Sequence, residues 1–165
     1  MTPAAVARPT LTLEPGGLGP LKLGMSKAEA AATRLVAADV PSTVCQGTIA
    51  LQPRAPYTSS FDVRVDQAGR VSDIGVQDPG LATSEGIHIG STLADVQRAY
   101  PGSGSPGDPG GDAAPYHQSA IFVQHGNDHL GFLFQARPGQ AKPTDTVTFM
   151  EIRRGQRPGL FRDGC

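Results

Sequence analysis

The chain has 165 residues, a net charge of −1, and 21 glycines and 15 prolines. This length suits one ordinary domain or two small packed halves, and the turn-rich composition favours short strands over long helices. The charge provides no overall field to attract nucleic acid or an anionic membrane. No apolar run approaches the ~18 residues of a membrane span. We therefore expect neither nucleic-acid binding nor a membrane span.

Residues 1–16 are predicted to be a flexible segment ahead of the folded part. Residues 1–10 lack the basic start and the apolar core of a signal peptide. Their small, Pro- and Ala-rich composition is typical of the stretch that follows a removed signal. We therefore expect an exported protein, either secreted or held in the cell envelope.

A motif occurs twice in the chain. Residues 19–30 read Gly-Pro-Leu-Lys-Leu-Gly-Met-Ser-Lys-Ala-Glu-Ala, and residues 85–96 read Glu-Gly-Ile-His-Ile-Gly-Ser-Thr-Leu-Ala-Asp-Val. Each copy predicts a very short strand (21–23 and 87–89), a glycine turn, and a helix that begins with a capping box. We expect 17–84 and 85–165 to be two tandem units within one compact body.

Further strands complete each unit. In the first unit, a helix is predicted over 26–37 and ended by Pro41, and its apolar stripe comprises Ala28, Ala31, Ala32, Leu35 and Val36. Strands follow over 48–51, 61–65 and 71–76, and a hairpin turn lies at 66–69. In 61–65, the alternation places Phe61, Val63 and Val65 inward.

The second unit repeats this order around an insertion. Its helix begins after Thr92 and ends at Pro101, and strands are predicted over 120–124, 130–134 and 145–154. The low-complexity stretch 102–115 predicts a mobile loop between helix and sheet. The fold class is therefore α+β, made of two tandem β-α-β-β-β repeats whose helices pack on antiparallel sheet.

Cys45 and Cys165 are the two cysteines, and Cys165 is the last residue. Chain ends hold tight geometry poorly, which disfavours a catalytic thiol there. A disulfide between them would close a loop of about 120 residues, restrict the unfolded chain, and imply an oxidising compartment. We predict this disulfide. The alternative is one buried and one disordered thiol.

The doubled motif resembles exported actinobacterial proteins built from tandem helix-plus-sheet repeats. It is also similar to the fold of the beta-lactamase inhibitory protein and of the small lipoprotein of the barrel-assembly machine. The residues on which this resemblance rests lie in 21–29 and 86–102. The resemblance implies a non-catalytic protein that binds other proteins through a sheet face, with the hairpin at 66–69 probing the partner. The chain departs from the inhibitor in having no Trp and 5% aromatic residues.

We predict a non-catalytic protein-binding module, an enzyme inhibitor or an envelope-associated recognition protein, that is a monomer and needs no cofactor. The predicted contact residues share exposure on the sheet, its hairpin or nearby loops. They are Tyr57, Asp62, Arg64, Asp66, Gln67, Arg70 and Tyr116.

The alternative function is a secreted metal-binding hydrolase. His125 and His129 flank a predicted turn, and Asp128 between them could complete a tetrahedral site. Turns collect such polar residues routinely, so we predict neither a metal site nor a catalytic residue. Asp62, Asp66 and Asp73 are likewise predicted to lie on a solvated face, which disfavours acid–base catalysis by paired carboxylates there.

Overall fold

A computed structural model describes residues 8–41, 49–109 and 117–160 of the chain. Cys45, Cys165 and Tyr116 lie outside the described residues, and so does part of the predicted loop 102–115. The disulfide and the role of Tyr116 therefore stay predictions.

Short strands dominate the described part of the chain, which is α+β. Its two helices are α1 (Lys27–Ala32) and α2 (Leu93–Ala99). Its strands are β1 (Thr12–Glu14), β2 (Gly17–Leu18), β3 (Leu21–Lys22), β4 (Val36–Pro41), β5 (Ile49–Pro53), β6 (Phe61–Val65), β7 (Val71–Val76), β8 (Ala82–Thr83), β9 (Ser119–His125), β10 (Asp128–Phe134) and β11 (Val147–Arg154). Neither helix has the length and hydropathy to cross a membrane.

The strands form two sheets. The larger sheet has seven strands in the order β4-β5-β6-β7-β11-β10-β9, and every neighbouring pair is antiparallel. The first half of the chain therefore supplies one side of this sheet and the second half the other, and they join where β7 pairs with β11. The smaller sheet has four strands in the order β3-β2-β1-β8.

Both predicted capping boxes are confirmed. The Ser26 hydroxyl accepts from the Glu29 backbone N–H at 3.1 Å, and the Glu29 carboxylate accepts from the Ser26 N–H at 2.7 Å. Thr92 and Asp95 repeat this exchange at 3.1 and 2.9 Å. The side chains thus satisfy backbone donors that the first turn of each helix leaves unpaired.

The glycine turns before the two caps also match. Gly24 and Gly90 have φ of 86° and 98°, a region that favours glycine. The Gly24 N–H donates to the Val71 carbonyl, and the Val71 N–H donates to the carbonyl of the residue after Gly24, both at 2.8 Å. Gly90 and Val147 pair in the same way at 2.9 and 2.8 Å. Each turn is therefore fixed to the start of a central strand of the large sheet.

The first helix is shorter than predicted. It ends at Ala32 instead of residue 37, Arg34 takes a left-handed φ of 65°, and β4 occupies 36–41. β4 pairs with β5, so these residues exchange helical hydrogen bonds for sheet hydrogen bonds that also bury Val36. The predicted stripe was wrong for its alanines, because α1 buries Ala30 and exposes Ala28, Ala31 and Ala32.

The starts of the two halves differ from the prediction. Residues 87–89 do not form a strand, and β8, just before them, pairs in parallel with β1. β1 lies within the segment 1–16 that was predicted to be flexible, and its Leu13 is fully buried. Pairing with β8 and burial of this leucine account for the ordered structure of β1.

One face of the large sheet carries the main core. Phe61, Val63 and Val65 point inward as predicted, and helix residues such as Ala30 and Val96 belong to the same buried cluster. A small second cluster lies on the opposite face of the sheet. It comprises Ala120, Leu133, Phe149 and Leu160, with Phe122 packed against it.

Candidate protein-binding face

The outer face of the seven-stranded sheet points away from the main core and carries a row of polar side chains. Strand register places Arg64 opposite Asp73, Asp73 opposite Arg153, and Arg153 opposite His129. We call these four residues the polar row. Because cross-strand neighbours on one face lie about 5 Å apart, the first three charges alternate in sign at close range.

Ion pairs link the polar row across three strands. Arg153 Nε lies 3.3 Å from Asp73 Oδ1, and the Ser72 hydroxyl donates to Asp73 Oδ2 at 2.6 Å. Arg64 Nη2 donates to Glu151 Oε1 at 2.8 Å. The side chains of Arg64, Asp73 and Arg153 are 23%, 9% and 34% exposed. The charges are therefore partly covered and held in defined positions.

Glu151 lies in the next row of the outer face, flanked by Gly75 on β7 and Gly131 on β10. Its side chain is 1% exposed. Burial raises the pKa of Glu151 to about 7, while the neighbouring Arg64 lowers it and Asp73 raises it further. Glu151 Oε2 has no hydrogen-bond partner among the described residues. The side chain is thus a buried carboxyl group that changes charge near neutral pH.

Glycines leave room for the apolar side chains around Glu151. A Cβ on Gly75 would lie 2.6 Å from Phe149 Cζ, so the Phe149 ring occupies that space. A Cβ on Gly131 would lie 3.0 Å from both Leu160 Cδ2 and Pro158 Cγ. Residues 155–160, which we call the strap, therefore lie over this part of the outer face and cover it.

The β6–β7 hairpin is held by two of its predicted contact residues. Asp66 Oδ1 accepts from the backbone N–H groups of Ala68 and Arg70 at 2.9 and 3.0 Å. Arg70 Nη1 donates to the Gly24 carbonyl at 3.2 Å. Asp66 thus shapes the turn and Arg70 attaches the hairpin to the cap of α1. Gln67 is exposed at the tip of the hairpin.

The structure brings together part of the predicted contact set. Asp62 is exposed on β6 beside Arg64, on the face that the alternation predicted. Asp73 is not a solvated carboxylate, because Ser72 and Arg153 cover it. Glu151 was missed by the sequence analysis, although a charged residue in the apolar stretch 147–152 was a signal of an unusual environment.

Tyr57 was wrongly predicted to be an exposed contact residue. It is 2% exposed, and its hydroxyl donates to the Pro9 carbonyl. The Arg8 guanidinium carbon lies 5.1 Å from the Tyr57 ring centroid. Arg8 also pairs with Asp78, which accepts from the Ser60 hydroxyl at 2.6 Å. Arg8 and Pro9 thus pack over Tyr57, and we call Arg8, Tyr57, Ser60 and Asp78 the N-terminal anchor.

The two histidines of the alternative metal site lie on opposite faces of their hairpin. His129 is opposite Gln124, whereas His125 is opposite Asp128, the next residue along β10. Side chains alternate between faces along a strand, so the two imidazoles point apart. Within residues 8–41, 49–109 and 117–160, no group of three or more His, Cys, Asp or Glu side chains is placed to hold a metal ion.

Comparisons with known proteins bear on the fold. The chain is similar to the uncharacterized protein YfeY from Escherichia coli, with a TM-score of 0.61 over 87% of this chain and 99% of that one. The two sequences are 17% identical, so the likeness shows the fold alone. No family model matches the sequence, and no curated protein matches it significantly.

Proposed function

We propose that this protein is an exported, non-catalytic module that binds a folded protein partner on the open part of its outer face. The observation that carries the proposal is the polar row, whose charges are fixed by ion pairs instead of moving freely in solvent. The contact residues would be Asp62, Arg64 and Arg153 on the sheet and Gln67 at the hairpin tip.

Fixed charges suit recognition for two reasons. Side chains that are already ordered lose less conformational entropy when a partner binds, so more of the contact energy appears as affinity. Alternating charges also favour a partner of complementary pattern and disfavour others through like-charge contacts. This supports recognition of a specific protein, for which an enzyme to be inhibited and an envelope component are the two candidate classes.

The tandem-repeat origin and the exported location belong to the same proposal. The repeat is supported by the matched capping boxes and by the equivalent pairing of Gly24 with Val71 and Gly90 with Val147. Export is supported by the sequence alone, through the composition of residues 1–10 and the two cysteines. A mass measurement before and after reduction tests the Cys45–Cys165 disulfide, since reduction of a disulfide adds two hydrogen atoms, about 2 Da, to the chain.

Affinity capture with charge-reversal variants tests the contact surface. The full chain is immobilised and exposed to culture supernatant and cell-wall extract, and captured proteins are identified by mass spectrometry. We expect Asp62→Lys to reduce capture of the partner at least about tenfold, because it reverses an exposed charge beside the polar row. Arg64 is a poorer choice, because its loss would also leave Glu151 without its arginine.

A matched control distinguishes the surface from general charge effects. Glu85→Lys makes the same change of charge at an exposed position between β8 and α2, and we expect it to leave capture unchanged. Equal loss of capture by both variants would reject the surface. Failure of the unaltered chain to retain any protein above a blank matrix would reject the function.

A further inference from the structure

The strap covers the apolar end of the outer face. Leu160 is 2% exposed and packs with Ala120, Leu133 and Phe149. Pro158 is also buried, and with Leu160 it occupies the space above Gly131. A Cβ on Gly131 would force both side chains to move by a few tenths of an ångström. The sheet is therefore shaped to receive this segment of the chain.

The first half of the strap is exposed to solvent. Residues 155–157 are exposed, and the Arg157 guanidinium carbon lies 4.7 Å from the Phe122 ring centroid. Leu160 has a φ of 56°, a left-handed conformation that costs a non-glycine residue energy. Segments with little buried area and a strained backbone open at low free energy compared with the whole fold.

Glu151 lies beneath the strap. The Leu160 backbone N–H lowers the pKa of the Glu151 carboxyl group, whereas Glu151 Oε2 has no hydrogen-bond partner among the described residues. Lifting Leu160 would admit water to both oxygens. The charge of this one buried side chain is therefore coupled to the position of the strap.

We propose that the strap is a releasable cover over the outer face, and that ionisation of Glu151 favours its release. The reason is that a closed strap keeps the carboxyl group away from water, which penalises its charged form. Release hydrates the group and removes that penalty. This inference goes beyond the proposed function and stands or falls independently of it.

The other charged groups around Glu151 modify the effect without reversing it. Arg64 from β6, Arg153 from β11 and the Leu160 backbone N–H of the closed strap favour the ionised form, Asp73 from β7 opposes it, and burial outweighs the three that favour it. The remaining neighbours are Asp62 on the same row of β6, His129 opposite Arg153 on β10, and Arg157 on the strap. Burial is the largest influence on the Glu151 pKa and raises it from its ordinary value of 4.5 to about 7.

The direction follows from these values. The closed strap holds the Glu151 proton more tightly than an open one, so rising pH shifts the equilibrium towards opening. Opening would increase up to about tenfold for each pKa unit that release removes from Glu151. The released strap would expose Phe122, Leu133 and Phe149, which adjoin the polar row and would add an apolar contact to the same face.

Hydrogen exchange measured on the full chain tests the proposal. The protection of the Leu160 amide is followed from pH 5.5 to 8.5 and corrected for the intrinsic rise of the exchange rate. We expect protection to fall at least about fivefold between pH 6 and pH 8. The Val96 amide in α2 serves as the internal control for global unfolding and should stay more strongly protected than the Leu160 amide at every pH, since Leu160 exchanges when the strap alone opens.

Two variants assign the effect to Glu151. Glu151→Gln keeps the size of the side chain but cannot ionise, so the pH dependence of Leu160 protection should vanish. Asp73→Asn removes a charge that opposes ionisation, so the midpoint should move to lower pH. A step that persists in Glu151→Gln would overturn the proposal. So would Leu160 protection equal to that of Val96 at every pH, or wild-type Leu160 protection that does not change with pH.

Discussion

The N-terminal anchor and the outer face each place an arginine against a carboxylate, yet they shift the carboxylate pKa in opposite directions. The Arg8 side chain and the Ser60 hydroxyl lower the pKa of Asp78 to about 2. Burial raises the pKa of Glu151 to about 7 although Arg64 lies 2.8 Å away. Removing a carboxylate from water penalises its charged form. A nearby arginine favours ionisation overall only where its attraction exceeds that penalty.

Exposure explains the difference between the two pairs. The Asp78 side chain is 18% exposed and accepts hydrogen bonds from Arg8, Ser60 and the Gly80 backbone. The Glu151 side chain is 1% exposed, and one of its oxygens has no partner among the described residues. The environment of the N-terminal anchor therefore favours the ionised form of Asp78, whereas burial in the outer face disfavours the ionised form of Glu151. Each of the following predictions breaks or sharpens this contrast.

Removing Arg64 should have the largest effect. In Arg64→Leu, the buried Glu151 loses its cation, and we expect about 3–5 kcal/mol of destabilisation at pH 8.5, where the carboxylate is ionised. At pH 5.5 Glu151 is protonated, so the loss should fall to about 1–2 kcal/mol, as for a neutral hydrogen bond. Urea unfolding at the two pH values measures the difference.

A double-mutant cycle provides the control for Arg64. In Arg64→Leu/Glu151→Gln the carboxylate is absent, so the pH dependence of the arginine substitution should disappear. Equal destabilisation by Arg64→Leu at both pH values would mean that the arginine acts through packing of its aliphatic stem and not through charge.

The stability of the unaltered protein should fall as pH rises from about 4.5 to about 7. The folded-state pKa of Glu151 is raised, so its contribution is fully present below its ordinary value of 4.5 and is lost as pH rises through about 7. The loss is at most about 3 kcal/mol, from 1.36 kcal/mol per pKa unit. Chemical denaturation across this pH range should show the fall in the wild type and not in Glu151→Gln.

The sequence predicted what depends on neighbours along the chain. The capping boxes at Ser26 and Thr92 follow from residues three positions apart. The strand alternation in Phe61–Val65 follows from the period of two. Both predictions rest on residues close together in the sequence, and the structure confirms both.

Burial of Tyr57 and Glu151 could not be predicted, because it depends on segments distant in sequence. Tyr57 is covered by a segment 48 residues away, and Glu151 pairs with an arginine 87 residues away. The faces on which His125 and His129 lie are likewise set by the turn at 126–127 and by the register of β9 with β10. The alternation of side chains along a strand predicts which face each residue occupies. It does not predict which distant segments of the chain pack over that face.

The contribution of Asp78 to stability should depend on pH in the opposite direction to that of Glu151, and Asp78→Asn should remove it. The pKa of Asp78 is lowered in the folded state, so its contribution is present above its ordinary value of 3.8 and is lost as pH falls through about 2. Because the pair is partly solvated, we expect only about 1 kcal/mol at pH 7. Thermal unfolding should show that the difference between wild type and variant shrinks as pH falls below 3.8 and disappears only below about 2. A constant difference down to pH 2 would contradict the assignment.

Tyr57→Phe should have the smallest effect and should not depend on pH between 4 and 8. The substitution keeps the ring under Arg8 and removes only the hydroxyl that donates to Pro9. A neutral hydrogen bond of this kind contributes about 1 kcal/mol. The effect should be local, so chymotrypsin should cleave after Leu11 several-fold faster while the unfolding midpoint barely moves. A large drop in the midpoint with unchanged cleavage would show instead that Tyr57 supports the main core and that the N-terminal anchor is incidental to it.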